Sequence, residues 1–338
     1  MASKLVVAVV GYTGGVGTCL LKAMKKIDLK PYALVRSKTM KLGENGDDVS
    51  IDYSVLRDKL LEECKSCNGI PVIADVTASG QVQEHYQDWL QKGISVVAAN
   101  KGIFAGPESK YQALLKASKE GNSRLLHETT VGAGLPVLGT LQGLKASSHS
   151  IVTVEGILSG TLAFVLGQLA GGKATLSEAV KQAKELGYTE PDPRDDLNGM
   201  DVARKAVILA RLAGVTGIEL DAMQIESLVP ESLKDCSVPD FMEQLPNFDA
   251  SMAEKVAAVE AAGGRLHYAA KVIVAEKKVE VGLLSCEASH PFNNAGPDNM
   301  VAMTTDFYTR PLVVQGAGAG GDVTATGVLS DILQCAYK

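Results

Sequence analysis

A chain of 338 residues exceeds one typical hydrophobic core, so two domains or a large two-part fold is expected. The composition is ordinary for a soluble protein, with 46% hydrophobic and 21% charged residues and a net charge of -6. That acidic balance, with no run of lysine and arginine interleaved with aromatics, argues against nucleic acid and anionic membrane as partners and leaves small-molecule substrates.

No apolar stretch reaches the length of a membrane span, and Leu5–Val10 is too short and too early for a signal peptide. A cytoplasmic location is the default expectation. Of six scattered cysteines only Cys64 and Cys67 form a C-x-x-C pair. Without a second pair or clustered histidines, chance spacing is a better reading than half a zinc site or a redox pair.

The first apolar run is followed at once by Gly11, Gly14, Gly15 and Gly17, and then by a helical pattern over 20–27. A buried parallel strand, a glycine turn and a helix open a dinucleotide-binding fold, in which the glycines let the backbone approach a pyrophosphate at the helix N-terminus. The intervening Thr13 and Val16 belong to the same turn. Its spacing is G-x-x-G-x-x-G, one residue longer in the first gap than G-x-G-x-x-G. A second strand, 32–35, ends in Arg36, Ser37 and Lys38, where an NAD-preferring site places an acid. Two cations and a hydroxyl suit a 2′-phosphate, which favours NADP while leaving NAD open.

Strands at 72–76 and 95–99 flank an amphipathic helix at 82–91 and end in Thr77-Ala78-Ser79 and Asn100-Lys101-Gly102. Residues just past the carboxyl ends of parallel strands line the ligand crevice, so these should converge there. A helix over 111–120, a strand over 124–129 and the tight turn from Val131 to Pro136 complete a sheet of at least five strands. His127 reads as a strand-end structural histidine, because no acid is spaced to orient it as a base.

Beyond Pro136 the pattern becomes α+β. A helix at Leu138–Ala146 leads to a strand at Ile151–Ile157, then Leu158-Ser159-Gly160-Thr161 opens an apolar helix, and a further helix covers 176–186. Helices around 218–223 and 252–261, a hairpin of strands 265–274 and 279–284, and strands at 299–305 and 312–315 follow. The glycine-rich stretch 316–321, with Gly318, opens a last helix over 324–336 and either returns to the cofactor or packs as a close loop. The expected division is a dinucleotide-binding domain at 1–136, a substrate-binding and dimerisation domain at 137–315, and a C-terminal segment at 316–338 returning to the first. The fold class is α/β, a Rossmann-type domain with a parallel sheet plus an α+β catalytic domain.

The densest chemistry lies at 187–212, GYTEPDPRDDLNGMDVARKAVILARL. Prolines at 191 and 193 break any incoming helix, which places Glu190, Asp192, Asp195 and Asp196 on a loop, and Asn198 is the expected N-cap of the next helix. Asp201 and Lys205 share one helix face with Ile208, Leu209 and Leu212, whereas Arg204 and Arg211 occupy a neighbouring sector facing solvent. From the helix alone, Asp201 and Lys205 are either a surface ion pair or a buried catalytic pair. Oxidising an alcohol needs a base for the hydroxyl proton, and a desolvated lysine steadied by an aspartate four residues away suits that task. Glu190 and Asp196 are available for the ammonium group of an amino acid.

Several stretches resemble the homoserine dehydrogenases over nearly the whole chain: the glycine turn at 11–17, AANKG at 98–102, HETTVGAGLP at 127–136, GILSGT at 156–161, LGYTEPDPRDDLNGMDVARK at 186–205 and GAGAGGDVTATGVLSD at 316–331. The resemblance implies reversible NAD(P)-dependent interconversion of L-homoserine and L-aspartate 4-semialdehyde, in the pathway to threonine, methionine and isoleucine. It implies that Lys205 and Asp201 lie beside the reacting hydroxyl with Lys101 opposite, that one lysine is the acid/base with Lys205 favoured, and that Glu190 and Asp196 hold the amino group. Tyr188, Gly160 and Thr161 would complete the substrate pocket. Glu128 with the carbonyls of Val131, Ala133 and Leu135 would match the family's monovalent cation site, with sodium expected, and a homodimer through the second domain's sheet is implied. With neither an ACT domain nor a fused aspartate kinase after the last helix, feedback control by threonine through such a domain is not expected. No cysteine stands at a strand end suited to thioester chemistry, which argues against a phosphorylating semialdehyde dehydrogenase. The competing readings are a non-catalytic NADP-binding protein and an oxidoreductase for another small hydroxy acid.

Overall fold

The computed structural model describes residues 4–43, 46–147 and 150–337. Two compact units emerge, one running to Leu138 and resuming at Ala319, the other spanning Gly139–Gly318.

The first unit is built on a seven-stranded sheet of β1 (Leu5–Val10), β2 (Ala33–Val35), β3 (Thr39–Leu42), β4 (Asp48–Ser50), β5 (Ile70–Asp75), β6 (Ser95–Ala98) and β7 (Leu125–Leu126), ordered β4-β3-β2-β1-β5-β6-β7. The strands β2, β1, β5, β6 and β7 run parallel. β1 is buried along nearly its whole length because helices cover both faces of a parallel sheet, which is why it reads as an unbroken apolar run. Its Val7 and Val9 share a core with Leu20 and Met24 of helix Gly15–Lys26 and with Ala325, Val328 and Ile332 of helix Gly321–Gln334.

The sheet is mixed, since β3 and β4 add an antiparallel extension at its edge. The strand expected over 124–129 is only two residues long: His127 leaves the ladder and Glu128–Thr130 forms a 3-10 turn. The helix expected over 82–91 divides into Gly80–Gln83 and Tyr86–Gln91. This break lets Tyr86 turn inward, where its hydroxyl donates to the buried Asp75 carboxylate at 2.6 Å. Cys64 is buried with its thiol pushed up to about 12 by burial, and the described residues hold no group of three or more His, Cys, Asp or Glu fit for a metal.

The second unit carries a five-stranded antiparallel sheet of β8 (Ile151–Ile157), β9 (Arg265–Ile273), β10 (Lys278–Cys286), β11 (Asn299–Thr305) and β12 (Leu312–Gly316), ordered β10-β9-β8-β11-β12. Helix Met200–Ala213 packs against it, and ten of its residues are buried, including Ile208 and Leu209. Each fully buried side chain of that size contributes about 1.5–3 kcal/mol. The segment 218–223 is no α-helix but a 3-10 turn at Leu220–Ala222, whose mostly exposed residues present no apolar face to pack. No helix of the described residues is long and apolar enough to cross a membrane.

Candidate active site

In the first unit, the backbone conformation of the glycine turn explains its composition. Gly11 has φ +89°, and a Cβ there would meet the Thr77 methyl at 2.6 Å. At Gly17 a Cβ would fall 2.3 Å from the Gly11 carbonyl. Gly14 is the N-cap of helix Gly15–Lys26, whose first turn, with Val16, contains no acidic residue. A Cβ on Gly15 would meet nothing within 4 Å, so that glycine lies open. Backbone N–H groups at such a helix start favour an anion. Gly321, opening the C-terminal helix, lies near Cys19 and the Gly15 carbonyl, so the second glycine-rich stretch reaches the first.

The loops after β5 and β6 are tied to each other along the same edge. Ser79 N–H donates to the Thr77 hydroxyl at 3.1 Å, and the Asn100 amide donates to the Ser79 carbonyl at 3.1 Å. Asn100 Oδ1 in turn accepts from Gly102 N–H at 3.1 Å, which leaves Lys101 half-buried at the start of helix Gly102–Ala105. Thr77, Ser79, Asn100 and Lys101 are thus brought together, with Ala78 exposed between them. Arg36, Ser37 and Lys38 form the exposed turn from β2 into β3, and Arg36 pairs with Asp48 of β4 at 2.8 Å. The sequence does not mark Asp48 as the partner of Arg36, because nothing there indicates the antiparallel extension.

Glu128 is held at both ends. Its N–H donates to Asp331 Oδ2 at 3.0 Å, and its Oε1 accepts from Leu138 N–H at 2.5 Å. Burial pushes Asp331 up to about 7. In the loop that follows, Gly132 and Ala133 have φ of +79° and +53°. Such a conformation in alanine is uncommon and turns successive carbonyls in unusual directions. Val131 and Ala133 are buried and Leu135 is half-buried, its carbonyl accepting from Val137 N–H at 2.9 Å. His127 is buried, stacks on Phe104 at 4.0 Å and has its pKa lowered to about 4 by burial. It is a neutral packing residue.

In the second unit, Lys205 Nζ donates to the Leu158 carbonyl at 2.6 Å and sits 2.7 Å from Asp201 Oδ2. Its side chain is 11% exposed against 43% for Asp201, so the lysine is on the buried side of its helix and the aspartate faces outward. Leu158 directly follows β8 and precedes Ser159, which caps helix Gly160–Leu169 by accepting from Leu162 N–H. One turn on, the Thr161 hydroxyl donates to the Tyr188 carbonyl at 2.6 Å, and Asp196 Oδ1 lies 3.1 Å from the same hydroxyl oxygen. Asp196 Oδ2 accepts from Glu190 N–H at 2.8 Å, and burial raises the pKa of its carboxyl above the usual carboxylate range. Gly160 is exposed at the helix start and the Tyr188 ring packs edge-on against Phe164. Thr161 and Asp196 are therefore tied to the Tyr188 carbonyl and the Glu190 N–H, and Thr161 stands three residues along the chain from the Leu158 carbonyl that receives Lys205.

Several local details differ from the sequence reading. Asp195 and Asp196 lie on a short helix, Arg194–Leu197, and not on a loop. Asn198 is not the N-cap of the next helix. Gly199 takes that position with φ +74°, while the Asn198 side chain accepts from Met200 N–H. A Cβ at 199 would fall 1.9 Å from the Tyr268 hydroxyl, a contact no local pattern reports. Asp192 leaves the acidic cluster to pair with Arg194, which also donates to the Leu233, Lys234 and Cys236 carbonyls. Arg211, expected at the surface, is buried and donates to the Ile218 carbonyl at 3.3 Å, whereas Arg204 is exposed. Gly318 belongs to the second unit, where a Cβ would meet Asn299 Cγ at 1.9 Å.

Residues 136–333 match the family model described as homoserine dehydrogenase, and residues 11–128 match its NAD-binding domain. The chain is 42% identical to a chloroplastic bifunctional aspartokinase/homoserine dehydrogenase of Zea mays, over 93% of this chain but 35% of that one. It spans about a third of the length of such plant relatives. A homoserine dehydrogenase of Emericella nidulans is 37% identical, with 99% of each chain covered. A crystal structure of a Candida auris protein described as of unknown function superposes with a TM-score of 0.92 at 32% identity, covering 99% of both chains. With more than half of its length matched by the family model and relatives of this identity along it, the chain belongs to the homoserine dehydrogenase family.

Proposed function

We propose that this protein catalyses the reversible NAD(P)-dependent oxidation of L-homoserine to L-aspartate 4-semialdehyde, serving threonine, methionine and isoleucine biosynthesis. The observation that carries the proposal is the fixed amine of Lys205, held by Asp201 and by the Leu158 carbonyl, which precedes by three residues the Thr161 that bonds Asp196. In this reading Lys205 takes the hydroxyl proton during oxidation and returns it during reduction, and Asp201 steadies the resulting ammonium. Lys101, at the strand-end loop of the first unit, is the alternative proton carrier.

Asp196 and Glu190 hold the substrate ammonium, with Tyr188, Gly160 and Thr161 shaping the pocket around it. The nicotinamide coenzyme supplies the hydride chemistry. It is bound by the turn at Gly11, Thr13, Gly14, Gly15, Val16 and Gly17, by Thr77, Ala78, Ser79 and Asn100, and by Gly318. Arg36, Ser37 and Lys38 favour NADP through its 2′-phosphate.

Glu128 and the Val131, Ala133 and Leu135 carbonyls hold a monovalent cation, sodium being the expected one. One carboxylate with neutral carbonyl oxygens is a donor set suited to a hard ion of low charge. The division into coenzyme and substrate domains, and a homodimer through the second sheet, complete the reading. The test is the rise of reduced coenzyme in solutions of the protein with NADP or NAD and L-homoserine, beside other hydroxy amino acids and 2-hydroxy acids. Reduction specific to homoserine supports the proposal, and equal rates with an unrelated hydroxy acid refute it.

A further inference from the structure

Arg36 leaves β2 directly beside the glycine turn. Val10 of β1 pairs with Val35, and Gly11 N–H donates to the Val35 carbonyl at 2.8 Å, so the next residue stands next to the first glycine. The guanidinium does not wave freely there. Its Nε donates to the Thr39 hydroxyl at 2.7 Å, and its Nη2 meets Asp48 Oδ2 at 2.8 Å. Asp48 comes within reach because the β3–β4 extension sets it across from Lys41. Both partners are on the surface, with side-chain exposures of 43% and 51%.

We propose that Asp48 sets the coenzyme preference of this protein by competing with the 2′ substituent of the adenosine ribose for Arg36. The inference rests on the reading that a nicotinamide dinucleotide binds at the 11–17 turn with its ribose beside Arg36. A 2′-phosphate is a dianion with three acceptor oxygens and is attracted to the guanidinium. It takes Arg36 from Asp48 readily, because an exposed ion pair is weak, but it then sits close to a like charge. A 2′-hydroxyl is a neutral donor. It gives its hydrogen bond to the Asp48 carboxylate and leaves the Arg36 pair intact. Asp48 therefore narrows the gap between the two coenzymes, weakening NADPH and supporting NADH, at a site whose cations alone suit NADPH.

The test is fluorescence titration of NADPH and NADH with the full chain, its Asp48→Asn and Asp48→Ser variants and Arg36→Ala. Loss of the acid should raise the ratio of the NADH to the NADPH dissociation constant by about fivefold or more, a change on the order of 1 kcal/mol. Arg36→Ala should lower that ratio. If Arg36→Ala lowers it while both Asp48 variants leave it unchanged or lower it too, Asp48 merely holds the arginine and the inference is overturned. If Arg36→Ala leaves the ratio unchanged, the assignment of the 2′-phosphate site itself has failed, and the inference with it.

Discussion

Lys205 donates to the main-chain carbonyl of Leu158 at 2.6 Å, which fixes a side-chain amine at the carboxyl end of a sheet strand. The anchor matters because lysine has four rotatable carbons, and holding its amine within a fraction of an ångström of a reacting group needs more than one contact. Asp201, four residues earlier on the same helix, provides the second at 2.7 Å. Asp201→Ala should then lower kcat for homoserine oxidation about tenfold or more, with the KM for coenzyme unchanged. Steady-state kinetics in both substrates checks this, and a change confined to coenzyme KM would contradict it.

The half-buried Asp196 offers a test in pH. Burial raises the pKa of its carboxyl above the ordinary value, and only the ionised form holds a substrate ammonium. Affinity is thus present above the raised pKa and is lost as pH falls through it. Homoserine KM should climb on the acid side at a pH higher than an ordinary aspartate would give. Asp196→Asn should have a high KM that is flat over the same range, and a variant retaining the native KM profile would remove Asp196 from the substrate site.

His127 makes a stability prediction of definite sign. Its folded pKa is lowered to about 4 from the ordinary 6.5, by burial against Phe104. Between those values the unfolded chain binds a proton that the folded one refuses, so the contribution is whole above pH 6.5 and declines as pH falls toward 4. From pH 7 to pH 5 the native protein should lose about 2 kcal/mol more than His127→Gln, at 1.36 kcal/mol per pKa unit. Urea unfolding of both proteins at the two pH values measures the difference. Equal losses would mean that His127 is solvated in solution.

Gly318 is pinned beneath a buried side chain. Asn299 is 2% exposed, and its Cγ would lie 1.9 Å from any Cβ at position 318. Gly318→Ala should destabilise the fold by about 1–3 kcal/mol, as overpacking does. Adding Asn299→Ala in the same chain should recover part of that loss, giving a coupling of about 1 kcal/mol or more in a double-mutant cycle. Strict additivity in denaturant unfolding would show that the two residues do not meet.

Much of this arrangement can be read from residues alone where the signal is local. The apolar run Leu5–Val10 and the glycines after it identify a buried strand and its turn, because burial on both faces removes alternation and close backbone approach demands glycine. The helix phase of Lys205 correctly puts it on the apolar side. What the pattern does not carry is the identity of long-range partners. The Leu158 carbonyl lies 47 residues from the lysine it receives. The Tyr268 hydroxyl, far along the chain, is what forces a glycine at 199 and so displaces Asn198 from the cap. Strand β4, Asp48–Ser50, is exposed and only three residues long, so it has no apolar alternation to detect, and with it Asp48 stays hidden. Arg211 is buried because the segment around Ile218 folds back over it, a tertiary event invisible to helix phase.

As the proposed acid/base, the anchored amine of Lys205 moves the proton of the reacting hydroxyl. The most direct measurement compares native protein and Lys205→Ala for NADP binding and for turnover of L-homoserine. The variant should bind coenzyme as the native protein does and turn over on the order of a hundredfold or more slower. Native turnover in Lys205→Ala would contradict that role and move it to Lys101.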